Sequence, residues 1–422
     1  MLVGADNIGA STPGTGETRP ARPTREAGRC RGLRAACLVG AILAMACDES
    51  EPGWSDSATW LTEAEYKLSG DPDRDVFFSQ VPVLRVDPHD DRVFVLDVQD
   101  TELSVWTPEG SLAFVLGGKG EGPGEFTYPT RVEFVNGGSF YVREGWGSRF
   151  TYYAADGALA GTEAGAPTSL MYQDYGLQLE ATTGNGGYFA VPLIGMSVFA
   201  DRGIDRYPIL RVERSDEGEW RAPEPVFWVD GRNTEHPIEL GGDRTMWAVQ
   251  VFGDSDLTWF EPGSVMVGRR TGGAGVIELF ELDAEADTVW VRQLRFEPQT
   301  LTAEMIRERG DYVLAHITIP GMSPPALRQA WEEGLYRPEY LPAAKGIVLT
   351  ASGEVWLKTF ERSDTLAVYY AIRRGDMTGQ PRRVLIPESV SLHDATETHV
   401  WGIWEDPLGV PHVVGRRLVP VP

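Results

Sequence analysis

Residues 81–117 read VPVLRVDPHDDRVFVLDVQDTELSVWTPEGSLAFVLG, and the fold turns on how that stretch is parsed. Four short runs at 83–87, 92–97, 103–107 and 112–116 are rich in β-branched and aromatic residues. Asp-Pro, Asp-Asp, Gln-Asp and Pro-Glu-Gly divide them, each a turn signal. Runs this short, alternating or wholly apolar and cut by such turns, are strands of a meander.

The next segment repeats the pattern. Arg85-Val86 matches Arg131-Val132, and Phe94-Val95 matches Phe140-Tyr141, both at an offset of 46 residues. Trp106 with its Pro-Glu-Gly turn matches Tyr153 with Ala155-Asp156-Gly157, one residue further on. A four-stranded unit at this period is a propeller blade, which buries its apolar faces only by stacking on neighbours around a ring. Looser copies follow at 257–296 and 346–387, and 175–231 shows only GYFAVPL, YPILRVER and PVFWVDG. The C-terminus gives three runs, SVSLHD, HVWGIW and PHVVGRRL. A closed ring needs a fourth, and the unpaired run WLTEAEYKL at 60–68 can supply it, which removes the open sheet edges. The expected fold is all-β: a six-bladed β-propeller over residues 59–422, closed by its N-terminal strand.

Residues 300–336 interrupt the β pattern with a small helical insertion. Thr302 can cap a helix carrying Met305, Ile306, Tyr312 and Val313, although Gly310 weakens it. In the second helix Ser323 is the N-cap and Pro324 opens the first turn. Leu327, Ala330, Trp331 and Leu335 then share one face, with Gly334 at the end. Such an insertion lands on a rim, where its expected role is to cover apolar propeller surface.

Upstream of the propeller, residues 1–46 read as an export signal. Six arginines between Arg19 and Arg34 precede an apolar run at 35–46 that ends in Ala44-Met45-Ala46, a small-x-small cleavage site. The run is too short to span a bilayer. Residues 47–58 form a polar tether. Cys30 and Cys37 leave with the signal, so Cys47 is the sole cysteine afterwards and no intrachain disulfide can form. Leu43-Ala44-Met45-Ala46-Cys47 resembles a bacterial lipobox, which implies a lipid on Cys47 and membrane contact through that lipid alone. Ordinary cleavage after Ala46 would instead leave Cys47 as a free thiol.

Composition narrows the partners. With 62 acidic against 38 basic side chains the formal charge is -24, the wrong sign for displacing counterions from nucleic acid. It also opposes adsorption to an anionic membrane surface. At 42% hydrophobic residues the chain can bury a core, and 48 Gly with 29 Pro suit a turn-rich β-protein.

The loop Gly117-Gly118-Lys119-Gly120-Glu121-Gly122-Pro123-Gly124-Glu125-Phe126 resembles the GxGPGEF inter-blade loop of NHL-type six-bladed propellers. Pro338-Glu339-Tyr340-Leu341-Pro342, ahead of Ser352-Gly353-Glu354-Val355-Trp356, resembles an element of bacterial six-bladed propeller lipoproteins. The resemblance implies the fold and leaves function open, since such propellers serve as binding scaffolds, lyases and lactonases.

Signals for catalysis are thin. Lys119 is followed by Gly120 rather than Ser or Thr, and no helix follows the glycine-rich loop, so it is not a phosphate cradle. Six-bladed metal lactonases hold a divalent cation with a Glu, Asn side chains and an Asp. Glu121-Gly122-Pro123 copies the Glu-Gly-Pro start of that family, but Asn136, Asn185 and Asn233 all sit in turns and do not complete the set. His89, His236, His316, His393, His399 and His412 are scattered without zinc spacing, although His393-Asp394 and His399 could meet across a turn. No Gly-x-Ser-x-Gly elbow occurs.

No catalytic residue, metal ligand or cofactor is therefore assigned, with a divalent cation such as calcium as the alternative. The candidate binding residues are charges on inner strands. Arg85, Asp87, Arg131 and Glu133 belong to first strands, and Asp97 and Arg143 end second strands. Trp146, flanked by Gly145 and Gly147, is the candidate aromatic contact. The expected protein is an exported, lipid-anchored, non-catalytic scaffold for a protein, peptide or glycan of the cell envelope. The alternative is a metal-dependent hydrolase, lactonase or lyase with its site in the central channel.

Overall fold

A computed structural model describes residues 58–68, 78–193, 205–239, 245–315, 317, 319 and 322–421, and these residues form twenty-six strands and two α-helices. The expected signal, Cys47 and nearly all of the expected tether lie outside the described residues. Strand β1 (Thr59–Leu68) comes first in the chain and finds its partners at the other end of the sequence. Blade 1 is β2 (Val83–Val86), β3 (Val93–Asp97), β4 (Glu102–Trp106) and β5 (Leu112–Gly117). Blade 2 is β6 (Pro129–Phe134), β7 (Phe140–Glu144), β8 (Arg149–Tyr153) and β9 (Leu159–Ala164). Blade 3 is β10 (Leu177–Thr182), β11 (Tyr188–Pro192), β12 (Arg206–Val212) and β13 (Glu224–Asp230).

A separate hairpin, β14 (Glu235–Glu239) and β15 (Thr245–Val249), precedes blade 4. That blade is β16 (Leu257–Glu261), β17 (Ser264–Arg269), β18 (Val276–Leu282) and β19 (Thr288–Arg295). Helices α1 (Ala303–Ala315) and α2 (Pro324–Gly334) follow. Blade 5 is β20 (Gly346–Leu349), β21 (Glu354–Ser363), β22 (Leu366–Arg373) and β23 (Arg382–Pro387). The last three strands are β24 (Val390–Ala395), β25 (His399–Glu405) and β26 (Pro411–Pro420).

β1 completes blade 6. It runs antiparallel to β26 from the Trp60–Pro420 pair to the Leu68–Val413 pair. On its other side it pairs in parallel with β23 through Thr59–Arg383. The Thr62 hydroxyl donates to the Leu385 carbonyl at 3.2 Å and accepts from Arg416 Nε at 3.0 Å, so one side chain clamps both neighbours. The fold is thus an all-β six-bladed propeller closed by its N-terminal strand, and the closure joins blades 5 and 6 into one eight-stranded sheet.

Hydrophobic burial is concentrated between blades, where facing sheets exclude water. Phe94, Leu96, Val132, Phe140 and Tyr153 fill the gap between blades 1 and 2. Met266, Leu279, Ile347 and Val355 fill that between blades 4 and 5. Trp106, Trp290, Trp356 and Trp401 are all buried in such seams. The ladders also correct the repeat offset. Trp106 pairs with Val93 and Tyr153 with Phe140, so Phe94 is equivalent to Tyr141, 47 residues on rather than 46. Arg85 opposes Phe94 and Glu133 opposes Tyr141, so the counterpart of Arg85 is Glu133, not Arg131. One residue of slip moves a side chain to the other sheet face.

The 117–126 loop is a tight turn stoppered by Phe126, which is fully buried between blades 1 and 2. Gly117 has φ 98° and a Cβ there would lie 2.5 Å from the Phe126 ring, so a side chain is excluded twice over. Glu125 turns back to accept from the Gly122 amide at 2.8 Å.

Each blade's first strand starts on one face of the ring, here the upper face, and ends on the lower. The links between blades, the β14–β15 hairpin and both helices therefore lie on the upper face. β1, parallel to the fourth strand of blade 5, starts on the lower face. The insertion begins as expected, with Thr302 Oγ1 accepting from the Met305 amide at 3.3 Å. Ser323 occupies the cap position of α2 in extended backbone, but its hydroxyl makes no cap bond, and Pro324-Pro325 alone shape that start. Leu327, Trp331 and Leu335 pack on Ile238, Ala248 and Phe252 of the hairpin region, with Phe360 of β21 alongside. Gly310 is needed where the helices meet, since a Cβ there would stand 3.0 Å from both Trp331 and Arg328.

Candidate functional site

The first strands of the blades surround the channel, and β2, too short to carry more than four residues, points Arg85 into it. Arg85 Nη1 donates to Glu133 Oε2 of β6 at 3.0 Å, and Nε to Asp394 Oδ2 of β24 at 3.2 Å. Nη2 lies 3.6 Å from Glu261 Oε1 of β16. Four blades thus meet at one guanidinium. Burial works against the Arg85 charge, but Glu133, Asp394 and Glu261 together outweigh it and hold its pKa above the ordinary range.

Asp394 has no solvent exposure and is shared more widely. Its carboxylate also accepts from the backbone amides of Val86 at 2.8 Å, Ala351 at 2.7 Å and Ala395 at 2.8 Å, so it ties blade 6 to blades 1 and 5. Burial pushes the Asp394 and Glu133 carboxyls upward, and Arg85 pulls both back.

A second tier lies beside the first. Arg131 stands 3.6 Å from Glu133 Oε1 and 3.5 Å from Glu180 Oε2. Arg143 donates to Glu180 Oε2 and to the Leu179 carbonyl, both at 2.7 Å, joining blade 2 to blade 3. The Trp259 ring lies 5.7 Å from the Arg85 guanidinium and 5.8 Å from that of Arg131, within cation–π range of both. Arg374 reaches Glu261 at 3.2 Å, so that carboxylate too is shared. Among the described residues no three His, Cys, Asp or Glu side chains are placed to hold one metal ion.

The structure therefore brings together Arg85, Arg131, Glu133 and Arg143. The other three candidates lie apart. Asp87 ends up below the channel with no exposure, accepting from the His89 amide at 2.9 Å and facing Arg92 at 3.3 Å. Asp97 holds the turn into blade 1, accepting from the amides of Gln99 at 3.0 Å and Gln80 at 3.1 Å and from that of Ser79. Both carboxylates are occupied in shaping turns rather than facing a ligand. Trp146 is 54% exposed on the upper face, and its loop adjoins that of Tyr128, 61% exposed, through the Gly145 amide and Tyr128 carbonyl at 2.8 Å. His393 and His399 do not make a pair. His399 Nε2 turns to Glu65 of β1 at 3.2 Å, while burial lowers the His393 pKa to about 4 and keeps that ring neutral.

Glu180, Glu261 and Trp259 escaped the sequence reading, and Asp394 was noticed only as the neighbour of His393. The available signal was a charge inside an otherwise apolar strand, as in LQLEAT and LTWFE. Among the described residues no helix is long and apolar enough to cross a membrane.

Comparison with known proteins agrees on architecture. A family model described as a 6-bladed beta-propeller matches residues 78–163, the span of blades 1 and 2. No curated protein matches the chain by sequence. Among solved structures, a candidate exported protein of Bacteroides fragilis is 9% identical, with 86% of this chain and 99% of that one covered and a TM-score of 0.43. A member of the duf4221 family from Bacteroides vulgatus is also 9% identical, over 86% and 99%, with a TM-score of 0.44. A gluconolactonase from Xanthomonas campestris is 10% identical, over 86% and 98%, with a TM-score of 0.36. At such distances these likenesses say nothing about activity.

Proposed function

We propose that the protein is exported and acts at the cell envelope as a non-catalytic scaffold that grips a protein, peptide or glycan by its upper face. The observation that supports this reading is the filled channel. In the central channel, where the alternative reading needs its cation, Arg85 is bonded to Glu133 and Asp394 and paired with Glu261. Admitting a cation there means stripping an arginine from buried carboxylates, which costs several kcal/mol. Recognition is left to the rim, where loops vary freely on a rigid platform and Trp146 and Tyr128 stand exposed. Within propellers, the 117–126 loop supports kinship with the NHL-type bacterial group. A lipid on Cys47 would hold it at a membrane.

Elemental analysis of the purified chain, with melting curves in chelator and in calcium, tests the reading. The expected result is no stoichiometric metal and one melting temperature in both media. In cells, Trp146→Ala should reduce crosslinked partner without changing that temperature. A stoichiometric metal whose removal lowers the melting point, or turnover of a lactone or ester, would overturn the scaffold.

A further inference from the structure

Most arginines among the described residues are met by a carboxylate, which makes one cationic cluster on the upper face unusual. It lies at the junction of blades 5 and 6, against α1. Lys345, just ahead of β20, donates its backbone amide to the carbonyl of Lys358 on β21 at 2.6 Å, so the two lysines are neighbours across the ladder. Lys345 Nζ sits 4.7 Å from the Phe360 ring centre and Lys358 Nζ 5.6 Å from that of Tyr369. Arg309 of α1 lies over its own helix's Tyr312 at 4.9 Å. Arg362 of β21 is paired at 3.1 Å with Glu308 of α1 and at 3.0 Å with Glu388, which precedes β24. Among the described residues no carboxylate oxygen lies within ion-pair distance of Lys345, Lys358 or Arg309. Four cations against two carboxylates leave an excess of positive charge here, in a chain whose formal charge is -24.

We propose that this cluster binds an oxyanion, a carboxylate or phosphate group of a ligand seated between Lys345 and Lys358. Each ammonium carries three donors, and here aromatic faces supply attraction but no acceptor for them. Phe360 and the exposed Tyr312 offer apolar surface for the remainder of the ligand. Burial first, and then the charges of Lys358, Arg362 and Arg309, lower the Lys345 pKa to about 8. Lys358 and Arg309 are also lowered, chiefly by burial. A bound anion relieves that repulsion and holds Lys345 protonated, so affinity falls as pH rises through about 8. The charged groups facing Lys345 are Arg309 and Glu308 from α1, Lys358 and Arg362 from β21, and Glu388 from the link into blade 6. The two lysines are those that lose charge in alkali. The site stands whether or not the propeller is catalytic.

Calorimetric titration of the purified chain with inorganic phosphate, and separately with glucuronate, tests this at an ionic strength fixed with sodium chloride. Lys345→Met and Lys358→Met keep the apolar stem and remove the charge. Each is expected to weaken binding by about tenfold or more, the worth of one charge-assisted hydrogen bond. Both variants should melt no lower than the parent, since repulsion is relieved. Binding of phosphate alone identifies a phosphorylated ligand, of glucuronate alone an acidic sugar or peptide, and either supports the site. No heat beyond that of chloride from either anion, or undiminished binding in both variants, overturns it.

Discussion

Removing the Asp394 carboxylate leaves Arg85 one partner short in a buried setting and takes a shared acceptor from the amides of Val86 and Ala351. Breaking one side of such a pair costs about 3–5 kcal/mol, so Asp394→Ala should lower the unfolding free energy by that amount in a denaturant titration. Unchanged stability would mean the ring does not depend on this contact. His393 gives a pH-dependent counterpart. Its pKa is lowered to about 4 from 6.5, so below pH 6.5 the unfolded chain binds the extra proton and stability is lost as pH falls toward 4. The loss is roughly 2–3 kcal/mol. Glu133 and Asp394, raised by burial, act in the opposite sense, so the effect is read as the difference between parent and His393→Asn at pH 7 and pH 4.5. A difference that stays constant with pH would show that His393 is solvated. Arg85, Arg131 and Glu133 were legible in the sequence because charge inside an apolar strand must face something polar. The pairing of Arg85 with Asp394 was not, because that carboxylate comes within reach only after the whole ring closes.

Among the elements, β1 was visible as the fourth strand that the C-terminal blade lacked, and the structure places it there, between β26 and β23. Two elements stayed hidden for physical reasons. β10 carries Gln178 and Glu180 on the side facing the channel, so its apolar run is broken. β14 has Pro237 at its centre and pairs with β15 alone, outside any blade, so neither period nor spacing marks it. The closure model predicts a penalty out of proportion to the length removed. Deleting 58–68 exposes the facing edges of β26 and β23 at once, takes Trp60 out of the seam core and uncovers Leu418 there. The truncated chain should melt at least about 10 °C lower and scatter light on heating. Equal melting of parent and truncation would remove the case for closure by β1.

At the scale of the whole molecule, the register of β1 fixes more than stability. Thr59 pairs with Arg383 at the start of β23, so the chain enters the propeller from the lower face. Trp146, Tyr128, the helices and the Lys345 cluster all belong to the upper face. Between Cys47 and β1 lie 11 residues, which span at most about 40 Å even when fully extended. If Cys47 carries a lipid, that tether holds the lower face toward the bilayer and turns the upper face outward. The formal charge of -24 opposes close contact of the propeller with anionic headgroups, whichever face is turned to them. Two measurements separate this arrangement from an unanchored protein. Cys47→Ser should move the protein from the membrane fraction to the fluid fraction of the envelope. In the lipidated protein, a fluorophore on a cysteine at Glu109, on the lower-face turn of blade 1, should be dimmed by a bilayer-embedded quencher. The same fluorophore at Leu408, 87% exposed on the upper-face turn of blade 6, should not. Equal quenching at the two positions would mean that the tether leaves the propeller free to tumble, and unchanged fractionation of Cys47→Ser would remove the anchor altogether.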